Sequence, residues 1–441
     1  MAIEYFGTDG IRGRAFEPPL TLEETCRWGS AWAKVAKRQG IQNLVIGWDG
    51  RTSCTRMLQA FLAGCGAELK TLLLGIVPTP AVAWVTSTLT DTWGLMISAS
   101  HNPPEDNGLK GFDSQGVKLA EDIELAIETA FIGRAKDVCD ASFLEQTADL
   151  PIQADLMEAY LAHIGSLHIP DSFPVIIDCA HGANASWAQR LFSGAVHWIG
   201  TPTIGEKINV NVGSNHLDTL RSQLLSKKAA LGVAFDGDGD RCLMLDDKGE
   251  VVDGDQMVML LALDLQRQGN APPGVIGTIM SNGGLEQRLD EMGIPFVRTP
   301  VGDKYMVREL IKSGWDLAAE ASGHLIQRHV SLSGDGLATA LSIIKILIQM
   351  SAEDRWGWCF APWPLNLVNL KVKQRKAIEE CAALQRAINE IKAEHGDSIR
   401  LVVRWSGTEP LLRIMAEAKE GWQVEWALKH LTSAATADLL P

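Results

Sequence analysis

Leu231-Gly232-Val233-Ala234-Phe235-Asp236-Gly237-Asp238-Gly239-Asp240-Arg241 is the stretch on which the reading of the fold turns. Five apolar residues bounded by a turn signal read as a short buried strand. The strand runs into a loop with carboxylates at alternate positions and glycines between them. In open α/β sheets, ligands bind beyond the carboxyl ends of the strands, so this loop stands where a functional site is expected. Oxygen ligands at that spacing suit a hard divalent cation, and glycine permits the positive φ values that a tight wrap requires. An EF-hand is excluded on two counts, because its sixth position requires Gly and here is Arg241, and its twelfth requires Glu and here is Asp247. With three ligands from one loop, Mg²⁺ keeps open positions for a phosphate oxygen.

The strand–helix alternation extends outward from this point. Asn43–Gly47 reads as a buried strand, 53–67 as a helix and 68–74 as the next strand, which suggests parallel α/β layers. The same pattern returns with a strand over 173–178 and helical spacing from Ser186, and again from about Asp253 to a long apolar helix over 338–350. Trp356 to Pro364 reads as a linker. Beyond it, strand (367–372), helix (376–394), strand (399–404) and helix (421–431) form a smaller α+β unit. The domains are therefore expected at 1–152, 153–252, 253–361 and 362–441, within a chain of 441 residues.

Bulk properties narrow the class. The formal charge of −14 argues against a nucleic-acid-binding surface and for cytoplasmic solubility. Eight scattered cysteines (Cys26, Cys54, Cys65, Cys139, Cys179, Cys242, Cys359 and Cys381) with no C-x-x-C pair read as reduced thiols. The first residues show no signal-peptide pattern, and no apolar run is long enough to span a membrane.

Four further strings carry chemistry. Ser98-Ala99-Ser100-His101-Asn102-Pro103 offers a hydroxyl nucleophile in a stiffened turn, and no G-x-S-x-G elbow is present to suggest acyl transfer. A phosphoryl group on Ser100 would be held by the cation and by donors such as His101, while Lys110 is a candidate acid–base for a sugar hydroxyl if a cationic neighbourhood lowers its pKa. Arg404-Trp405-Ser406-Gly407-Thr408 with Arg413 supplies guanidinium forks, hydroxyls and a glycine N–H, the parts of a phosphate cradle. Glu320-Ala321-Ser322-Gly323-His324 could bind adjacent sugar hydroxyls, or cap a helix. Phe6-Gly7-Thr8-Asp9-Gly10-Ile11-Arg12-Gly13 brings Arg12 as a partner for phosphate, or is a turn fastening the terminus. The serine turn and the triple-Asp loop together point to phosphoryl transfer.

Taken in order, F-G-T-D-G-I-R-G, S-A-S-H-N-P, D-G-D-G-D-R, E-x-S-G-H and R-x-S-G-T-E-P-x-x-R resemble the α-D-phosphohexomutase superfamily across nearly the whole chain. The opening string is most similar to the bacterial branch acting on glucosamine phosphates. The resemblance implies an α/β protein of four domains around a central cleft, three of related α/β build with mixed sheets and a smaller C-terminal α+β domain. It implies that Ser100 is the phosphorylated serine, that Asp236, Asp238 and Asp240 join it around Mg²⁺, and that Lys110 is the acid–base, with His101 and Arg12 beside the phosphoserine. Arg241, Glu320, Ser322 and His324 would meet the sugar, and Arg404, Ser406, Gly407, Thr408 and Arg413 the phosphate not being transferred. The implied reaction interconverts glucosamine 6-phosphate and glucosamine 1-phosphate through a hexose bisphosphate; the same mechanism on glucose or mannose phosphates is the alternative. A homodimer is implied as well. The chain departs from the usual pattern at Trp48, Gly50, Gly111 and Lys304.

Overall fold

The computed structural model describes residues 3–133, 151–351, 354–357, 360–372, 375–405 and 411–440. The central strand forms at Leu231–Phe235 with every residue buried. It lies parallel to Val175–Asp178 and antiparallel to Cys242–Leu245 in a five-stranded sheet completed by Val196–Ile199 and Val251–Val252. Burial on both faces is why it reads as an unbroken apolar run.

Three sheets share one plan. In the first, Asn43–Trp48 is parallel to both Lys70–Ile76 and Thr92–Ile97, and Thr92–Ile97 then pairs antiparallel with Asp106–Phe112. In the second, Val175–Asp178 is parallel to both Val196–Ile199 and Leu231–Phe235 before the antiparallel step to Cys242–Leu245. In the third, Val275–Thr278 is parallel to Phe296–Thr299 and Leu317–Ala319, and the latter pairs antiparallel with Leu325–Gln327. The turn into each antiparallel partner carries one of the chemistry-bearing strings: Ser98–Pro103, Asp236–Arg241 and Glu320–His324. The expected mixed sheets and related α/β build are thus observed, and the purely parallel arrangement suggested by strand–helix alternation is corrected at these turns. Two more antiparallel strands, Phe6–Gly7 and Gly10–Arg14, extend the first sheet beside Asp106–Phe112.

Helices pack between these layers. Leu22–Arg38 starts at a capping box of Thr21 and Glu24 and lies against Cys54–Cys65. The two approach so closely that a Cβ at Gly64 would sit 1.8 Å from the Cys26 carbonyl oxygen. Gly254–Arg267, capped by Asp253 and Gln256, and Gly336–Gln349, capped by Asp335, are mostly buried. One continuous apolar cluster runs through all three sheets, from Val45 and Val82 through Ile177 and Met244 to Leu317 and Ile344.

The C-terminal unit is an antiparallel sheet in the order Leu365–Lys371, Leu411–Ala418, Ile399–Trp405, covered by Ala382–His395 and Gly421–Leu439. The expected helix over 376–394 instead begins with a short 3₁₀ turn at Ile378–Glu380. The last helix outruns its expected end at 431, because buried Leu431, Ala435 and Leu439 continue the apolar stripe at i, i+4 spacing. Cys54, Cys65, Cys179, Cys242 and Cys381 are free and buried.

Candidate active site

The Ser100 turn is held from below by Arg51. Its buried guanidinium donates to the carbonyls of Ser100 at 2.8 Å, Asn102 and Asp106 at 2.9 Å each, and also Pro103, while Asp49 balances its charge at 2.8 Å. Asn209, from the second sheet's side, donates to the Ser100 carbonyl at 2.8 Å. So clamped, Ser100 keeps a left-handed backbone, φ +53°, which costs a non-glycine residue about 1–2 kcal/mol. Its buried Oγ donates to Asp236 Oδ2 at 2.7 Å.

Asp236, Asp238 and Asp240 are buried with carboxylate oxygens within 4.8 Å of one another. Three helix starts stabilise this loop. The amides of Thr79, Ala183 and Gly336 donate to the carbonyls of Asp238, Gly237 and Gly239 at 2.8, 2.8 and 3.0 Å, and helices begin at or just after each donor. Positive ends of helix dipoles and unpaired N–H groups therefore converge on an acidic loop. Glycine is required twice there. Gly239 has φ +73°, and a Cβ on Gly237 would stand 2.8 Å from the Ser100 carbonyl oxygen.

Side-chain charges do the rest. Lys110 Nζ, fully buried, lies 2.6 Å from Asp238, 3.5 Å from Asp240 and 3.1 Å from Asp9. Thr79 Oγ1 donates to Asp238 at 2.5 Å. Burial and the charges of Asp240 and Asp238 push the Asp236 carboxyl well above its ordinary range. Burial also opposes ionisation of Asp240, but Lys110, His324 and Arg241 outweigh it and bring that carboxyl well below the ordinary range. Asp238 Oδ1 and Asp240 Oδ1 are buried with no hydrogen-bond partner. Buried carboxylate oxygens without donors, in a cluster of three, are what a hard divalent cation would satisfy, so the residues fit Mg²⁺.

Around this centre, Arg241 Nη1 lies 3.0 Å from His101 Nδ1, and its amide donates to Asp236 at 3.2 Å. Arg12 pairs with Asp9 and feels the charges of Asp238, Arg241, Asp240 and Asp236. In the third sheet's turn, Ser322 Oγ donates to Glu320 at 3.2 Å, and Glu320 accepts the Gly302 N–H at 3.0 Å. His324 is buried between Asp240, 3.8 Å from Nδ1, and Asp303, 3.6 Å from Nε2. Arg404 and Arg413 face each other across neighbouring strands, and the Nε of each is buried without a partner. Burial, then Arg413, lowers the Arg404 pKa, while Glu320 opposes that. A like-charged pair of this kind calls for an anion. Ser406, Gly407 and Thr408 lie outside the described residues.

The same chain is 40% identical over 437 residues to the phosphoglucosamine mutase of Azotobacter vinelandii, with 96% of each chain covered. The chain belongs to the phosphoglucosamine mutase family. It is also 37% identical to the Vibrio atlanticus phosphoglucosamine mutase over 98% of both chains. Family models for phosphoglucomutase/phosphomannomutase match as alpha/beta/alpha domain I at residues 4–136, alpha/beta/alpha domain III at 253–355 and the C-terminal domain at 367–426. Two solved structures share the fold. A phosphoglucomutase/phosphomannomutase family protein from Burkholderia thailandensis superposes with a TM-score of 0.79 at 21% identity, covering 99% of this chain and 98% of that one. An Aspergillus fumigatus N-acetylphosphoglucosamine mutase, solved with GlcNAc-6P and magnesium, does so with a TM-score of 0.67 at 16% identity, covering 99% and 96%.

For a phosphoglucosamine mutase family member, the residues that sequence reasoning passes over are instructive. Lys118 Nζ bridges Asp9 and Asp303, the latter at 2.8 Å, and so ties the first sheet to the third. Nothing in Asp113-Ser114-Gln115-Gly116-Val117-Lys118 separates it from a surface turn. Asp9, by contrast, stands within the N-terminal string that also carries Arg12. The side chains paired with Lys110 are the carboxylates of Asp9, Asp238 and Asp240, and Lys118 is a cation close enough to feel its charge. Gly111, unusual for the superfamily pattern, has a reason: a Cβ there would stand 2.4 Å from the indole of Trp32.

Proposed function

We propose that the protein interconverts glucosamine 6-phosphate and glucosamine 1-phosphate, with Ser100 carrying the phosphoryl group between turnovers. One observation carries this reading: Ser100 Oγ lies on a buried carboxylate cluster with unpartnered oxygens, in a chain of the phosphoglucosamine mutase family. In the forward half-reaction the bond from Ser100 Oγ to phosphorus breaks as a sugar hydroxyl takes the phosphoryl group, giving a bound hexose bisphosphate. The reverse transfer, after the bisphosphate turns end for end, returns the other phosphate to Ser100. Mg²⁺, held by Asp236, Asp238, Asp240 and the Ser100 phosphate, would supply charge neutralisation at the transferring group.

The chain's own residues supply the remaining functions. Lys110, salt-bridged to Asp238 and Asp9, is the proposed proton carrier for the sugar hydroxyl. Arg12, His101 and Arg241 border the transferring phosphate. Glu320 and Ser322, with His324 behind them, are assigned to sugar hydroxyls. Arg404 and Arg413, together with Ser406, Gly407 and Thr408, are assigned to the phosphate that stays. Because catalysis here is mostly positioning and charge stabilisation, fixed donors and cations suffice. The domain ranges 1–152, 153–252, 253–361 and 362–441, a homodimer and a cytoplasmic location complete the reading. No described helix is long and apolar enough to cross a membrane.

The test is a coupled assay with Mg²⁺ and a trace of hexose bisphosphate, run in parallel on glucosamine, glucose and mannose phosphates. A large kcat/KM preference for glucosamine phosphate is expected, and Ser100→Ala should abolish turnover. Near-normal activity of that variant would overturn the mechanism. A preference for glucose or mannose phosphate would move the substrate assignment and leave the chemistry in place.

A further inference from the structure

The C-terminal sheet has its own apolar core, including Leu384, Ile391, Ile414 and Leu428, distinct from the cluster that runs through the other three sheets. Polar groups fasten it to the third sheet. Arg400 Nη2 donates to the Ser281 carbonyl at 2.7 Å, and Nη1 donates to that of Ile279. The same guanidinium is paired, at 2.7 and 2.8 Å, with Glu417, whose side chain has no exposed surface. Glu417 in turn accepts the Gly283 N–H at 3.1 Å. The Asn282 amide side chain pairs with both backbone groups of Trp363, at 2.9 and 3.0 Å. Residues 279–283, which lead into the helix Gly283–Glu291, thus receive the C-terminal unit.

Strand register links this fastening to the candidate phosphate site. Arg400 is directly opposite Glu417, and Arg404 directly opposite Arg413, on the same pair of strands. Side chains four residues apart on a strand share a face. One face therefore carries the Arg400–Glu417 ion pair and, roughly 13 Å along at about 3.3 Å per residue, the Arg404–Arg413 pair. A change in the angle at the first pair moves the second. Space for such a change lies alongside: a cleft of about 1180 Å³, lined by residues that include Gly283, Phe296, Trp363, Arg400 and Lys419.

We propose that Arg400 and Glu417 are positioning residues, an interdomain latch that sets where Arg404 and Arg413 stand relative to Ser100. The latch thereby governs affinity for the phosphate that is not transferred, and retention of the bisphosphate while it turns. This rests on the reading under Proposed function, and the two residues act through the arginine pair.

Two variants of the full chain test it. Glu417→Gln leaves the Arg400 charge without its buried partner and is expected to lower stability. Arg400→Met combined with Glu417→Leu removes both charges and replaces them with apolar bulk, a change that often preserves stability. For a double variant with a melting temperature near that of the unmodified protein, KM for glucosamine phosphate should rise about tenfold. Its requirement for added hexose bisphosphate should rise by a similar factor, because a displaced cradle lets the intermediate escape. Lowered stability with unchanged KM and unchanged bisphosphate requirement would make the pair merely structural and overturn the proposal. Small-angle X-ray scattering supplies a readout independent of turnover: removing the latch should broaden the size distribution, and a profile superimposable on that of the unmodified protein would also overturn it. If the unmodified protein turns over none of the three sugar phosphates, the functional reading fails, and scattering still decides whether the latch holds the unit.

Discussion

At the scale of single residues, His101 has a protonation state fixed by its neighbour. Arginine only donates, so His101 Nδ1, 3.0 Å from Arg241 Nη1, accepts, and the ring proton sits on Nε2. Burial first, then the charges of Arg241 and Arg12, bring its pKa down to about 3. A lowered imidazole pKa keeps the ring of the unphosphorylated, metal-free protein neutral, so its nitrogen chemical shifts should not titrate between about pH 5 and 8. Nitrogen chemical shifts that titrate near the ordinary imidazole value would contradict this. Ser100, the carboxylates and the flanking arginines stand out in sequence as candidate site residues because their chemistry is concentrated in short strings. Lys118 and Asp303 are not, since only tertiary structure brings together two residues 185 positions apart.

At the scale of elements, the helix Gly254–Arg267 acts as a backstop for the third sheet's turn. A Cβ on Gly254 would stand 1.9 Å from the Glu320 carbonyl oxygen. Gly254→Ala should therefore destabilise the fold by about 1–3 kcal/mol, as overpacking does, and raise KM by displacing Glu320. A melting curve and a kinetic titration check both halves. Asp255, in the first turn of the same helix, has its carboxyl pushed up to about 7 by burial and then by Asp253. A folded-state pKa raised above the unfolded value of about 4 contributes stability below that pH, which is lost as pH rises through about 7. The melting temperature of the unmodified protein relative to Asp255→Asn should thus fall between about pH 4 and 7 and then level off; a flat difference would refute the shift. Strand positions are largely legible from apolar runs. The antiparallel turns are not, because a buried run such as Leu231–Phe235 reads the same whichever way its neighbour points.

At the scale of the whole molecule, the acidic loop is fastened to the first sheet's unit through Ser100, Thr79 and Lys110. A cation among three buried carboxylates relieves their repulsion and binds the folded state far better than the unfolded one. Mg²⁺ at a hundredfold excess over its dissociation constant should add about 2.7 kcal/mol, raising the melting temperature, and chelation should reverse the effect. A melting temperature insensitive to both would argue against a cation on this loop. The sequence indicates four units and their order, but the apolar cluster joining three of them cannot be read from separate strand and helix patterns.

The three equivalent turns have a consequence for how the molecule fails. One turn offers the proposed nucleophile, one the acidic loop, one the groups assigned to the sugar, and the C-terminal strands the arginine pair, so on the proposed mechanism no unit is chemically competent alone. Activity is a collective property of alignment. A substitution that parts two units by about 1 Å can cost roughly a hundredfold in rate while leaving every functional side chain in place. The molecule's weak points therefore include its seams, and damage there would escape any inspection confined to the residues that touch substrate.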